Sequence, residues 1–309
     1  MRACSLDFSA YSSLRIGAPR PVWILELSDL GGILEGANES NESMVGKPSA
    51  PSPRPPRILE GASLHLARPL EDSKPSHLSL EGQTLRLIGR ANNLLVAPTA
   101  KNLALLGHSF NYISMQADYI EMGASVPSIQ AFLFCKKHDL QGLEFLGKLP
   151  GVLGALCHMN AGMKDYDMRG ALAALNINGR WVSIDEASLV YRGRGSGGVI
   201  LAARFHRRLS FRHELVAYFE SLRKNQPKDP SCGSCFKNPP GDSAGRLLEA
   251  VGLKGERLNG VGFSAKHANF LVNLGGGKFE DAISLIAMAK TRVREAFGVN
   301  LECEVQICE

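Results

Sequence analysis

Residues 83–133 read QTLRLIGRANNLLVAPTAKNLALLGHSFNYISMQADYIEMGASVPSIQAFL. Short apolar runs alternate here with turn residues. Leu85–Ile88, Leu94–Val96, Tyr112–Met115 and Tyr119–Met122 each have strand length and composition. The pattern then changes period. Ser125 is placed to cap a helix, Pro127 suits its first turn, and Val126, Ile129, Phe132 and Leu133 form the expected apolar stripe. Strands gathered before a helix, without regular strand–helix alternation, predict an α+β fold rather than a doubly wound sheet.

Outward from that stretch, Trp181–Ile184 and Val199–Phe205 read as strands and His213–Lys224 as a helix. A second short helix is expected between a Ser243 cap and a Gly252 stop. Residues 280–297 predict the clearest helix, with Ile283, Ile286, Ala287, Val293 and Phe297 on one side and Gly298 ending it. The terminal LECEVQIC alternates as a strand should: Leu301, Cys303, Val305 and Ile307 on one face, Glu302, Glu304 and Gln306 on the other. Residues 31–80 differ in texture. Seven of the chain's sixteen prolines fall there, and the run KPSAPSPRPPR excludes helix and interior strand. An insertion or linker is expected, with a few apolar residues, Leu64, Leu66 and Leu70, able to touch the body.

The chain has 309 residues, 44% of them hydrophobic and 21% charged, with 35 Lys and Arg against 30 Asp and Glu. An excess of five positive charges suits anionic small molecules and is too diffuse to predict nucleic-acid binding. No apolar run approaches the roughly 20 residues of a membrane span. The first residues, MRACSLDFSAYSSLRIG, lack the apolar core of a secretory signal. Seven cysteines without framework spacing favour a reducing, cytoplasmic setting.

Several segments carry candidate chemistry. In IGRANNLLV, Gly89 permits positive φ, Ala91 allows close backbone approach and Asn92 and Asn93 tolerate left-handed backbone, as an anion-cradling loop requires. An ordinary hairpin turn explains one glycine equally well. LPGVLGALCHMNAGM offers bare backbone at Gly151, Gly154 and Gly162, but its spacing fits no dinucleotide-binding fingerprint. Cys157 and His158 are more simply packed residues than a cofactor link or a metal ligand. Cys232 and Cys235 form a CxxC pair, yet zinc needs four ligands, and Cys303 and Cys308 are a poor second pair; no metal is expected. Beside that pair, Ser234, Lys237 and Asn238 combine a hydroxyl with oxyanion-binding groups. Tyr191 and Arg192 precede a Gly-rich turn. Spacing cannot choose between Glu302 and Glu304, and KHANF, residues 266–270, serves a ligand or a loop equally.

The order of these pieces is more telling than any one. DFSAYSSLRIG, GRANNLLV, GLEFLGKLPGVLGALCHMNAGM, Tyr191-Arg192, GSCFKNPPGDSAGRLLEAVGLKG, SAKHANFLVN and LECEV together resemble the UDP-N-acetylenolpyruvoylglucosamine reductase family. The likeness spans nearly the whole chain outside residues 31–80. It implies an FAD-binding fold of the vanillyl-alcohol-oxidase type, with flavin subdomains at 1–100 and 101–209 and a UDP-sugar-binding domain at 210–309 that includes the terminal strand. It implies NADPH as reductant, non-covalent FAD, a monomer, and the enolpyruvyl ether of UDP-N-acetylglucosamine as substrate. Arg192, Ser234 and Glu304 match the family's catalytic positions. Gly89, Arg90, Ala91, Asn92, Asn93 and Leu94, with Pro150, Gly151, Gly154, Asn160 and Gly162, match the flavin site, and Tyr191, Lys237 and Asn238 the substrate site. Little room remains between Arg192 and Ser234 for the Tyr-bearing lid loop of larger members, so the chain resembles the shorter class. Another FAD-dependent oxidase or dehydrogenase of the same superfamily is the alternative.

Overall fold

The structure is a computed structural model and describes residues 1–30, 77–80, 83–195 and 197–309. Most of the proline-rich stretch, with Leu64, Leu66 and Leu70, lies outside the described residues. Its last residues correct the expected boundary: His77–Leu80 is a strand, paired antiparallel with Gln83–Leu87, and Leu78 is buried.

Three sheets organise the chain. The first has Arg2–Asp7 and Pro19–Leu25 antiparallel at one side, then Leu103–Leu106 parallel to Pro19–Leu25, then Gln83–Leu87 and His77–Leu80. Leu103–Leu106 was not expected as a strand. It carries the first sheet past residue 100, and its short run LALL gains its order from two parallel neighbours. Asp7 caps the short Phe8–Tyr11 helix that leaves this sheet, its carboxylate accepting from Ser9 N at 2.9 Å. Gly17 holds φ +137°, and a Cβ there would come within 2.6 Å of Phe8 Cβ, so only glycine lets the chain return beneath the buried Phe8.

The second sheet is antiparallel throughout, in the order Arg180–Ser183, Leu172–Ile177, Ile200–His206, Tyr119–Gly123 and Ile113–Met115. It packs with the Ser128–Lys137 and Leu153–His158 helices around Phe145, Phe205 and Phe219. The first of these helices departs from its sequence reading. Pro127 occupies the cap position, while Ser125 Oγ donates to Leu106 O at 2.8 Å. Ala131, Phe132 and Cys135 face the core; Ile129 and Leu133 are exposed. The apolar stripe was therefore read off one face too far round, because small residues do the packing.

The third sheet runs Ser231–Ser234, Phe270–Asn273, Val261–Phe263, Arg257–Leu258, all antiparallel. The Ala244–Ala250 helix starts as expected, with Ser243 accepting from Arg246 N. The Phe279–Phe297 helix covers the sheet through Ala282, Leu285, Ile286, Ala289 and Val293, and Gly298 stops it at φ +67°. Ala287 and Phe297, expected on the buried side, are exposed.

The last strand is shorter than its alternation suggested. Only Gln306–Cys308 forms a strand, parallel to Leu94–Val96, while Cys303 keeps a single antiparallel bridge to Phe236 beside the third sheet. Cys308 is buried and Ile307 only partly so, reversing the expected phase after Val305. Leu14, Ile16 and Leu95 share one core with the third sheet, which locks the two ends of the chain together.

Candidate active site

A cavity of about 500 Å³ lies where the three sheets meet. One wall is the loop Gly89–Leu94. Gly89 and Ala91 both hold φ +50°, and Tyr11 Oη donates to Gly89 O at 2.7 Å, pinning the loop's first turn. Asn92 Nδ2 donates to Ser13 Oγ, whereas its Oδ1 is buried without a partner among the described residues. A buried acceptor left open on a cavity wall is suited to a donor from a bound ligand. Asn93 turns the other way. Its Nδ2 donates to Glu304 O at 2.8 Å, and its carbonyl accepts from Gln306 N at 2.9 Å. The side chain thus ties the loop to the chain's last residues.

The opposite wall is Pro150, Gly151 and the Leu153–His158 helix. Gly154 packs flat on residue 124: a Cβ there would meet Ala124 Cβ at 2.8 Å. Gly162 lines the same space, but Asn160 does not. Asn160 is buried, donating to Asp167 Oδ2 at 3.1 Å and accepting from Arg169 N at 3.0 Å, so it shapes the following turn. His158 also faces the cavity, where burial pulls its imidazole down to about 4 and keeps it neutral.

Arg192, Ser234 and Glu304 line the third side together. Arg192 sits at φ +54° in the turn after Leu189–Val190, a left-handed conformation that costs a non-glycine residue energy and aims its side chain inward. Its Nε approaches Glu304 Oε1 at 3.1 Å, off the line of a hydrogen bond, so the contact is a charge pair. Ser234 ends the Ser231–Ser234 strand. Glu304 N donates to Cys235 O at 2.8 Å, which sets the carboxylate beside that strand end. Glu304 is well buried while Glu302 projects to solvent and pairs with Lys237 at 3.2 Å. Burial raises the Glu304 carboxyl above the ordinary glutamate value, against the opposing pull of Arg192 and Lys237.

Three residues expected near the substrate lie outside this cavity. Tyr191 is exposed on the rim of an adjoining hollow. Lys237 is half-buried beside Glu302, and Asn238 Oδ1 accepts from Ala244 N at 3.1 Å, holding the Pro-rich turn to its helix. Asn269 resolves the KHANF ambiguity toward structure: its amide grips both backbone groups of Phe236. Sequence reading missed Tyr11, Ser13, Arg223, Phe270 and Gln306 on the cavity wall. DFSAYSS carried a signal for the first two. Arg223 follows the His213–Leu222 helix among other cations and had none.

Residues 226–308 match the family described as UDP-N-acetylenolpyruvoylglucosamine reductase, C-terminal domain. The UDP-N-acetylenolpyruvoylglucosamine reductase of Helicobacter hepaticus is 52% identical over 252 residues, 80% of this chain and 96% of that protein. The chain belongs to the UDP-N-acetylenolpyruvoylglucosamine reductase family. A Helicobacter pylori member is 43% identical over 99% of both chains. The crystal structure of the Thermus caldophilus reductase superposes with a TM-score of 0.73 at 26% identity, covering 100% of each. The expected flavin-binding architecture of the vanillyl-alcohol-oxidase type is borne out by that likeness. In this reductase, all seven cysteines are free thiols. Burial pushes Cys232 up to about 12 and Cys235 well above its ordinary value, which disfavours redox or nucleophilic use of either. Among the described residues, no group of three His, Cys, Asp or Glu side chains is arranged to hold a metal, and no helix is long and apolar enough to cross a membrane.

Proposed function

We propose that this chain reduces the enolpyruvyl ether of UDP-N-acetylglucosamine to UDP-N-acetylmuramate, using non-covalent FAD and NADPH. The observation that carries the reading is the convergence of Arg192, Ser234 and Glu304 on one cavity with the Gly89–Leu94 loop. FAD fits that cavity's chemistry. Left-handed Gly89 and Ala91 turn backbone toward the space, Gly154 leaves a flat wall, and the open Asn92 Oδ1 awaits a donor. Gly89–Leu94, Pro150, Gly151, Gly154 and Gly162 would hold it, with Arg90 adding a charge to its phosphates. Bound there, FAD would pass the two electrons of NADPH as hydride to the vinyl CH2 carbon.

The chain's own residues manage the rest. Arg192 binds the substrate carboxylate, and its permanent charge stabilises the electron density that moves from the double bond into that group. Ser234 donates its hydroxyl proton to the ether-bearing carbon, completing CH3–CH from CH2=C. A hydroxyl is a weak acid, so this step depends on a strongly basic acceptor held close. Glu304 positions Arg192 and assists Ser234; its raised affinity for protons suits a group that shares a proton rather than holding a fixed charge. Lys237 supports the field around Glu304. A monomer in the cytoplasm, where NADPH is supplied and thiols stay reduced, accords with this reading.

The test is an anaerobic titration of purified protein. A yellow flavoprotein should bleach with NADPH and regain colour with the enolpyruvyl UDP-sugar. Ser234→Ala should bleach normally and slow reoxidation by about 10²-fold or more. Equal loss in both half-reactions would refute proton donation by Ser234. Reoxidation by oxygen but not by the UDP-sugar would identify a different oxidase.

A further inference from the structure

The hairpin that carries Arg192 brings in a second cation, and this one has no counter-charge. Gly193–Arg194 pairs antiparallel with Leu189–Val190, which sets Arg194 opposite Leu189, and Gly195 N donates to Ser188 O at 2.9 Å. Leu189 and Ala187 share one core with Cys157 of the Leu153–His158 helix. Arg194 is only 7% exposed. Its Nη2 donates to Gly198 O, whereas Nε and Nη1 are buried without a hydrogen-bond partner. No carboxylate pairs with it among the described residues. Burial pulls the guanidinium down to about 10, so it keeps its charge at neutral pH, and that charge reaches both Cys157 and His158. Capping of the helix end does not account for it. Ala155 O already accepts from Met159 N at 3.0 Å, Leu156 O from Ala161 N at 2.8 Å and Cys157 O from Asn160 N at 3.1 Å.

His158 lines the reaction cavity and Arg194 does not, so the cation stands behind that part of the wall. Among the described residues lining the cavity, Glu304 is the one carboxylate, and Arg192 already meets it. A buried charge without a partner is costly, and it is worth keeping where a negative charge forms within its reach. We infer that Arg194 sets the reduction potential of the flavin, its guanidinium stabilising from behind His158 the negative charge that FAD gains on reduction. The inference rests on the flavin part of the reading above. Hydride from NADPH brings two electrons and one proton, so the reduced ring carries one negative charge until a second proton arrives. A fixed cation in a dry wall favours that charged form without having to move. Through an effective dielectric of about 20, a unit charge a side chain's length behind the wall is worth about tenfold in the reduction equilibrium. Arginine suits the position because its charge survives burial where that of lysine is more easily lost.

Arg194→Met, which fills the space without charge, and Arg194→Lys, which keeps the charge, are compared with the parent as flavin-loaded proteins. Equilibration with dyes of known potential reads the flavin couple without turnover. The methionine variant should resist two-electron reduction about tenfold more than the parent, a potential about 30 mV more negative. The lysine variant should recover most of that shift. Because the charge is buried, the shift should persist at high ionic strength, where the effect of an exposed charge would be screened. Urea midpoints read the fold separately, and removing an unpaired buried cation should leave stability equal or higher. Arg194→Gln, which keeps polar groups without charge, carries the same comparison if the methionine variant loses its flavin. An unchanged potential in a folded, flavin-loaded variant without the charge overturns the inference, and so does a lysine variant shifted as far as the methionine one. A shift of the stated sign in a protein that never passes hydride to the enolpyruvyl UDP-sugar overturns the reductase reading and leaves the role of Arg194 standing.

Discussion

Asn269→Asp isolates one contact that holds the active-site strand. Asn269 is buried; its Oδ1 accepts from Phe236 N at 2.9 Å, and its Nδ2 donates to Phe236 O at 2.8 Å. Its own carbonyl accepts from Cys235 N at 2.7 Å, so it clamps the two residues that follow Ser234. Aspartate keeps the shape and the first acceptor but turns the donor into a second acceptor facing Phe236 O. The lost bond removes about 1 kcal/mol, and the buried carbonyl left open costs about 1–3 kcal/mol more. A loss of about 2–4 kcal/mol is large against a total stability of about 5–15 kcal/mol. Protonation restores the donor, so the new carboxyl must take up its proton more readily in the folded protein than in the unfolded one. The sign follows: stability stays near the parent's below the ordinary aspartate value and falls away as pH rises through the raised folded value. Asn269→Leu, with neither group, should lose more and show no such dependence. Urea midpoints of the three proteins, measured side by side at mildly acidic and mildly alkaline pH, read the difference. An aspartate variant within about 0.5 kcal/mol of the parent at alkaline pH, or a gap that does not change with pH, would refute the clamp.

Gly154→Ala should lower thermal stability and flavin content together. The added Cβ would sit 2.8 Å from Ala124 Cβ and 3.2 Å from Ala124 O, so the Leu153–His158 helix must shift into the cavity, at about 1–3 kcal/mol. Full flavin occupancy with an unchanged melting temperature would contradict that packing. Glu304→Gln should gain stability on the parent as pH rises. The parent carboxyl, raised by burial, contributes stability that is complete below the ordinary glutamate value and is lost through its higher folded value. The same variant should slow flavin reoxidation by the UDP-sugar. Parallel urea midpoints for the two proteins across the acid-to-neutral range would refute it.

The parts legible in the sequence were those fixed by local chemistry. Ser243 and Gly252 bounded their helix, Gly298 ended the long one, and Gly89 turned its loop, because capping and left-handed backbone depend on the residue itself. Leu103–Leu106 was invisible because its run LALL has neither β-branched residues nor polar alternation to favour strand over helix; two parallel neighbours supply its bonds. Ile129 and Leu133 misled because hydropathy marks large apolar residues, whereas this helix packs through Ala131 and Cys135. The choice of Glu304 over Glu302 was not in the alternation either. It came from family likeness, and the fold accounts for it by burying one carboxylate and exposing the other.

Glu304 also ties the three sheets together at the site. Its N–H donates to the carbonyl of Cys235, just past the third sheet's Ser231–Ser234 strand, its carbonyl accepts from Asn93 on the Gly89–Leu94 loop, and its carboxylate meets Arg192 in the turn after Leu189–Val190. Asn93 and Glu304 are separated by 211 positions. Each bond alone is worth about 1 kcal/mol, too little to order segments so far apart; the shared core of Leu14, Ile16 and Leu95 with the third sheet supplies the rest. The carboxylate is then buried by packing that was formed for other reasons, and burial sets its proton affinity. Held by three converging units and opposed in its charge by burial, Glu304 stands beside Arg192, as the exposed Glu302 does not. On the proposed function, loosening any one of these units should therefore act first on the Glu304 titration and on reoxidation.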